Sequence, residues 1–97
     1  MIVNRFTRIV KNGCMQQAIE LVQAEIERVG TPDATRVCTA YAGPSSVLII
    51  DFDFDSIAEM DQYWSAWRAD PESTVFGDAF NKLTEAGGGS EIWRLHD

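Results

Sequence analysis

β-Branched, aromatic and polar side chains interleave from Ile2 to Ile9, the make-up of a strand. Lys11-Asn12-Gly13 breaks that pattern, and apolar residues then recur at Met15, Ala18, Ile19, Val22, Ile26 and Val29. This is helical spacing with a single stripe, and Glu20, Glu25, Glu27 and Arg28 take the solvated side. Gly30-Thr31-Pro32-Asp33 supplies a C-cap glycine and a following proline, which end the helix. Thr35 to Ala42 reads as a second strand, Gly43-Pro44-Ser45-Ser46 as a hairpin loop, and Val47 to Phe54 as a third strand. The third strand is the most hydrophobic and belongs in the middle of a sheet.

Asp55 or Ser56 then caps a second helix, with Glu59 placed as in a capping box. The stripe of that helix is Ile57, Met60, Trp64 and Trp67. Asp70-Pro71 interrupts it, since proline suits the first position of a new helix, and Val75, Phe76, Ala79, Phe80 and Leu83 resume helical spacing. Ala86-Gly87-Gly88-Gly89 reads as the stop, with a flexible turn at the glycines, and Glu91 to Leu95 as a last strand.

Strand, helix, strand, strand, broken helix, strand is the split βαβ order. It predicts an α+β, ferredoxin-like βαββαβ fold with a four-stranded antiparallel sheet and helices on one face. Residues 1–97 are expected to form a single domain. The other sheet face is then uncovered. On the third strand it carries either Val47 and Ile49 or Leu48, Ile50, Phe52 and Phe54, both apolar sets near mid-strand. A second copy of the sheet is the simplest cover, which predicts a homodimeric α/β barrel.

Charge and composition narrow the partners. Fifteen acidic residues against eight basic give a net charge of −7, which argues against nucleic acid and anionic membrane surfaces. The longest apolar run, Val47 to Ile50, is far too short for a span, and Met1 to Phe6 has no signal-peptide pattern. A cytoplasmic location is expected. Cys14 and Cys38 are too far apart for a CxxC motif, and one histidine makes a zinc site of nitrogen and sulfur ligands unsupported. No metal and no cofactor is implied.

The stretch from Phe54-Asp55-Ser56-Ile57-Ala58-Glu59 through Met60-Asp61-Gln62-Tyr63-Trp64-Ser65-Ala66-Trp67-Arg68-Ala69 to Asp70-Pro71 resembles the dimeric α/β-barrel superfamily. That superfamily includes NIPSNAP-type domains, antibiotic-biosynthesis monooxygenases and haem-degrading monooxygenases. The resemblance covers nearly the whole chain and implies a homodimer. The haem-degrading pattern is an Asn on the first strand, a Trp on the second helix and an iron-binding His soon after a Val-Phe pair. Asn4 and Trp67 match by position, but Phe80 stands where the His would be and cannot ligate iron. The resemblance therefore speaks against haem degradation and leaves three readings. One is a NIPSNAP-like domain binding a small apolar or aromatic molecule in a helix–sheet cleft. Another is a cofactor-independent monooxygenase acting on a polyphenol or quinol, with Asn4 as hydrogen-bond donor on the oxygen side and Trp67 as aromatic wall. The third is a structural dimerisation module without a ligand.

The residues allow the same readings. Asn4 shares a strand face with Ile2 and Phe6, so a buried amide there needs partners, from a ligand or from the chain itself. Trp64 and Trp67, three apart, share a helix face that Met60, Tyr63 and Phe80 could join, either as core or as the wall of a cleft. Asn4, Phe6, Met60, Tyr63, Trp64, Trp67 and Phe80 are the candidate ligand-binding set. His96, the one histidine, is a candidate base, yet it is penultimate and expected in solvent. Asn4, Trp67 and His96 are the weak catalytic candidates. Asp51-Phe52-Asp53-Phe54-Asp55 superficially resembles a dehalogenase-type phosphatase motif, but the chain is too short for that domain and has the wrong strand order. An EF-hand is excluded by Ser56 at the glycine position and Gln62 at the final ligand. Solvation and helix capping account for these aspartates.

Overall fold

The computed structural model describes residues 1–31 and 34–96. Its elements are β1 (Ile2–Val10), α1 (Met15–Val29), β2 (Thr35–Thr39), β3 (Val47–Phe54), α2 (Ile57–Ala69), α3 (Pro71–Asn81) and β4 (Thr84–Arg94). The four strands form one antiparallel sheet in the order β2-β3-β1-β4, so β3 lies inside the sheet as its hydrophobicity predicts. This is the ferredoxin-like α+β arrangement, with three helices because the break at Asp70-Pro71 separates α2 from α3.

The register decides which face the helices cover. Ile2 pairs with Phe54, Asn4 with Phe52, Phe6 with Ile50 and Arg8 with Leu48, so even-numbered positions of β1 and β3 share a face. Leu48, Ile50, Phe52 and Phe54 are buried there with Ala18 and Val22 of α1, Met60 of α2 and Phe80 of α3. Ala18 is fully buried, which lets α1 approach the sheet closely. Ile57 and Val75, expected on the helix stripes, are 48% and 61% exposed. Ile57 opens α2 and Val75 lies on the outer side of α3, where neither reaches the sheet.

Local chemistry sets the helix ends. Gly30 takes φ +78°, a conformation side chains resist, and its N–H closes α1 on the Ile26 carbonyl at 2.8 Å. Pro32 and Asp33 lie outside the described residues. Ser56, not Asp55, caps α2, its hydroxyl accepting from the Glu59 N–H at 3.1 Å. Asp70 caps α3 by accepting from the Glu72 N–H at 2.9 Å, with Pro71 at the first helical position.

Two strand boundaries differ from expectation. β2 stops at Thr39, paired with Leu48, short of the expected Ala42; Tyr41 beyond it is fully exposed. β4 runs straight through Gly87-Gly88-Gly89, so these glycines are neither a helix stop nor a turn. β1 presents pairing groups along its whole length, and the glycines let β4 follow it through a bulge. Thr7 pairs with Gly89 and Ile9 with Glu85, so the bulge lies opposite Arg8. A Cβ on Gly88 (φ +76°) would lie 2.0 Å from the Thr7 carbonyl oxygen, which excludes any other residue without rearrangement.

The helix-free face carries Val47 and Ile49 of β3, but also an ion-pair ladder. Arg5 grips Asp51 through Nε and Nη2 (2.9 and 3.0 Å), and Arg36 grips Asp53 at 2.8 and 2.7 Å and reaches Asp51 at 3.8 Å. Asp51 is 4% exposed. Solvation therefore does not explain Asp51 and Asp53; cross-strand arginines do. Trp93, half exposed, stands beside Val3 on the same face.

Candidate functional site

A cavity of about 530 Å³ opens between the sheet and the three helices. Alternation along β1 aims Asn4, Phe6 and Arg8 into it, β3 adds Ile50 and Phe52, and β4 adds Ser90 and Ile92. From the helices come Val22, Glu25 and Ile26 of α1, Tyr63, Trp64 and Trp67 of α2, and Phe76 and Phe80 of α3. The candidate set assembles here with one exception. Met60, 8% exposed, is packed into the core and does not reach the cavity wall.

The wall is a continuous aromatic array. Trp64 meets Phe52 edge-on at 5.0 Å and Phe6 at 5.3 Å, and Trp67 follows it at 5.9 Å. Phe76 lies 6.2 Å beyond Trp67 and stacks on Phe80 at 5.3 Å. Such edge-to-face pairs hold ring orientations. The array gives the cavity flat, rigid sides of a kind suited to small apolar or aromatic molecules.

Asn4, Trp67, Glu25 and Tyr63 are each tied to a protein partner. Asn4, 5% exposed, accepts from the Trp64 indole N–H at 2.9 Å and donates to the Glu91 carbonyl at 3.1 Å. Its partner is thus Trp64, one turn from Trp67. Trp67 instead donates its indole N–H to Glu25 at 2.9 Å. Glu25 is also held by Arg28 through two hydrogen bonds of 2.8 and 2.9 Å, and that arginine, together with the Trp67 bond, keeps its carboxyl below the usual carboxylate range. Burial raises the Tyr63 phenol, which donates to the Gly30 carbonyl at 2.8 Å. His96 is exposed and lies off the cavity.

Several lining residues escaped the sequence reading. Phe52 was hidden because either face of β3 could have met the helices, and Glu25 because α1 looked solvated at that position. Arg8 had a signal: it continues the alternation Ile2, Asn4, Phe6. Among the described residues no group of three or more His, Cys, Asp or Glu is placed to hold a metal ion, and no helix is long and apolar enough to cross a membrane.

No protein-family model matches the chain, and no curated protein matches it in sequence. Solved structures do match. A NIPSNAP family protein from Agrobacterium tumefaciens superposes with a TM-score of 0.80 at 19% identity, over 99% of this chain and 86% of the other. An uncharacterised NIPSNAP domain protein from Burkholderia xenovorans gives 0.84 at 16% identity, over 99% and 95%. An antibiotic biosynthesis monooxygenase gives 0.75 at 11% identity over 100% of both chains. At such identities the likeness is one of architecture, and the chain has the ferredoxin-like fold that NIPSNAP domains and antibiotic biosynthesis monooxygenases share.

Proposed function

We propose that residues 1–97 act as a single homodimeric, cytoplasmic domain that binds a small apolar or aromatic molecule in the helix–sheet cleft. The observation that carries this reading is the aromatic-walled cavity of about 530 Å³ where a filled core would otherwise lie. Calorimetric titration with a neutral flat ligand, 2-naphthamide, should show saturable binding that weakens at least several-fold in Trp67→Ala. Absence of binding to this, to related two-ring amides and to their carboxylate isosteres would reject the cleft as a ligand site.

Support for the homodimer comes from the helix-free face. Val3, Ile9, Val47 and Ile49 are only partly buried there and surround the ion pairs, and Trp93 is 52% exposed. A second sheet laid across this face would bury them and shield the ion pairs from water. Sedimentation equilibrium should give twice 10.8 kDa, and Trp93→Asp should shift the chain to monomer. Two free thiols, Cys38 exposed, suit a reducing compartment.

A second reading is a cofactor-independent monooxygenase acting on a polyphenol or quinol. It is favoured by Asn4 facing the same cavity and by monooxygenases among the similar structures. It lacks a poised base, since Glu25 is held ionised by Arg28 and the Tyr63 phenol is raised. An oxygen-electrode trace that stays flat with an anthrone or a quinol under air would remove it. The third reading, a dimerisation module with no ligand, requires the cleft to be closed by side chains, which the cavity opposes.

A further inference from the structure

Three arginines of this chain hold carboxylates: Arg5 holds Asp51, Arg28 holds Glu25 and Asp70, and Arg36 holds Asp53. Arg8 does not. Its Nη1 donates to two backbone carbonyls, Thr7 at 2.8 Å and Gly89 at 2.9 Å, and no carboxylate lies within ion-pair distance of it among the described residues. The bulge opposite Arg8 presents the Gly89 carbonyl, and the guanidinium rests 5.4 Å from the Phe6 ring centroid. The side chain is thus fixed at one corner, Arg8 lines the cavity, and its Nε and Nη2 edge has no acceptor among the described residues. Arg5 uses that same edge to grip Asp51 with two parallel hydrogen bonds.

The cavity's other charges agree. Glu25 is held by Arg28, which it shares with Asp70, and Arg68, also in the lining, has no carboxylate partner among the described residues, so the lining carries two arginines, Arg8 and Arg68, against one carboxylate. On a chain of net charge −7 the cleft is therefore a locally cationic pocket with apolar walls. Burial lowers the Arg8 pKa with no anion to offset it, as befits a cation whose counter-charge comes from outside the protein.

We propose that the cleft takes a small aromatic carboxylic acid in its ionised form, with the ring system against Trp64, Trp67 and Phe76 and the carboxylate held side-on by Nε and Nη2 of Arg8. This rests on the cleft being a ligand site and adds the charge of the ligand. The test compares isosteres, 2-naphthoate and 2-naphthamide, by calorimetry. Wild-type protein should favour the naphthoate by about tenfold or more, as expected for a charge-assisted bidentate pair. In Arg8→Gln the ratio of the two affinities should fall to near one, and in Arg8→Lys, which keeps the charge without the fork, it should be intermediate. Equal affinities in the wild type would overturn the inference while leaving the cleft a ligand site. A preference that survives Arg8→Gln and disappears in Arg68→Gln would overturn the assignment to Arg8. Binding of neither compound would overturn the cleft and the inference together. Should Arg8→Gln fail to fold, the wild-type ratio and Arg8→Lys still decide.

Discussion

Trp64 does two jobs that pull on the same atoms. Its ring forms the wall of the cavity, and its indole N–H occupies the Asn4 amide oxygen. A buried amide oxygen stripped of its donor costs about 1–3 kcal/mol, so Trp64→Phe should lose that much stability while keeping an aromatic wall. Chemical denaturation would measure it, and an unchanged midpoint would show that the Asn4–Trp64 bond contributes nothing. Asn4 was legible from its strand position as an amide in need of partners. Its partner was not, because Trp64 and Trp67 share a helix face and only the placement of α2 over the sheet separates them.

At the scale of elements, capping chemistry carried the sequence reading of α2 and α3. Ser56, Glu59, Asp70 and Pro71 are short-range signals whose partners lie within a turn. The Asp70 carboxylate both caps α3 and ties it to α1 through Arg28 at 2.7 Å. Asp70→Ala should lower the melting temperature, chiefly through the lost cap. Asp70→Asn keeps the cap and should lower it less, since only an exposed ion pair is lost. Thermal melts of the two variants would test this, and equal losses would move the weight to the ion pair. β4 was misread for a long-range reason. Three glycines look like a breaker, yet β1 supplies pairing groups, and the bulge needs a residue at Gly88 without a Cβ. Gly88→Ala should therefore cost more than the ~1–2 kcal/mol of the left-handed backbone alone, read in the same melts. A smaller loss would mean that the bulge can relax away from Thr7. Which face of β3 met the helices was open for a similar reason: alternation reports two faces and names neither.

For the molecule as a whole, acidity is a lever. Arg36 holds the Asp53 carboxyl below its ordinary value, Arg28 does the same for Glu25, and Arg28 also lowers Asp70. For these groups the unfolded chain binds protons more readily than the folded one. Their contribution is complete above the ordinary carboxylate range, near pH 4, and is lost as pH falls through the lower folded values. The melting temperature should thus fall on acidification below about pH 5, and less steeply in Arg36→Gln, which has already lost one pairing; parallel curves would deny the ion pair any role. The central claim is that the space beneath the helices receives a ligand, and the indole N–H resonances test it most directly. The chain has three tryptophans, two on the cavity and Trp93 on the helix-free face. In ¹H–¹⁵N spectra recorded while 2-naphthoate is added, the Trp64 and Trp67 indole peaks should move together and saturate while Trp93 stays in place. Movement of Trp93 alone, or of none of the three, would contradict the account.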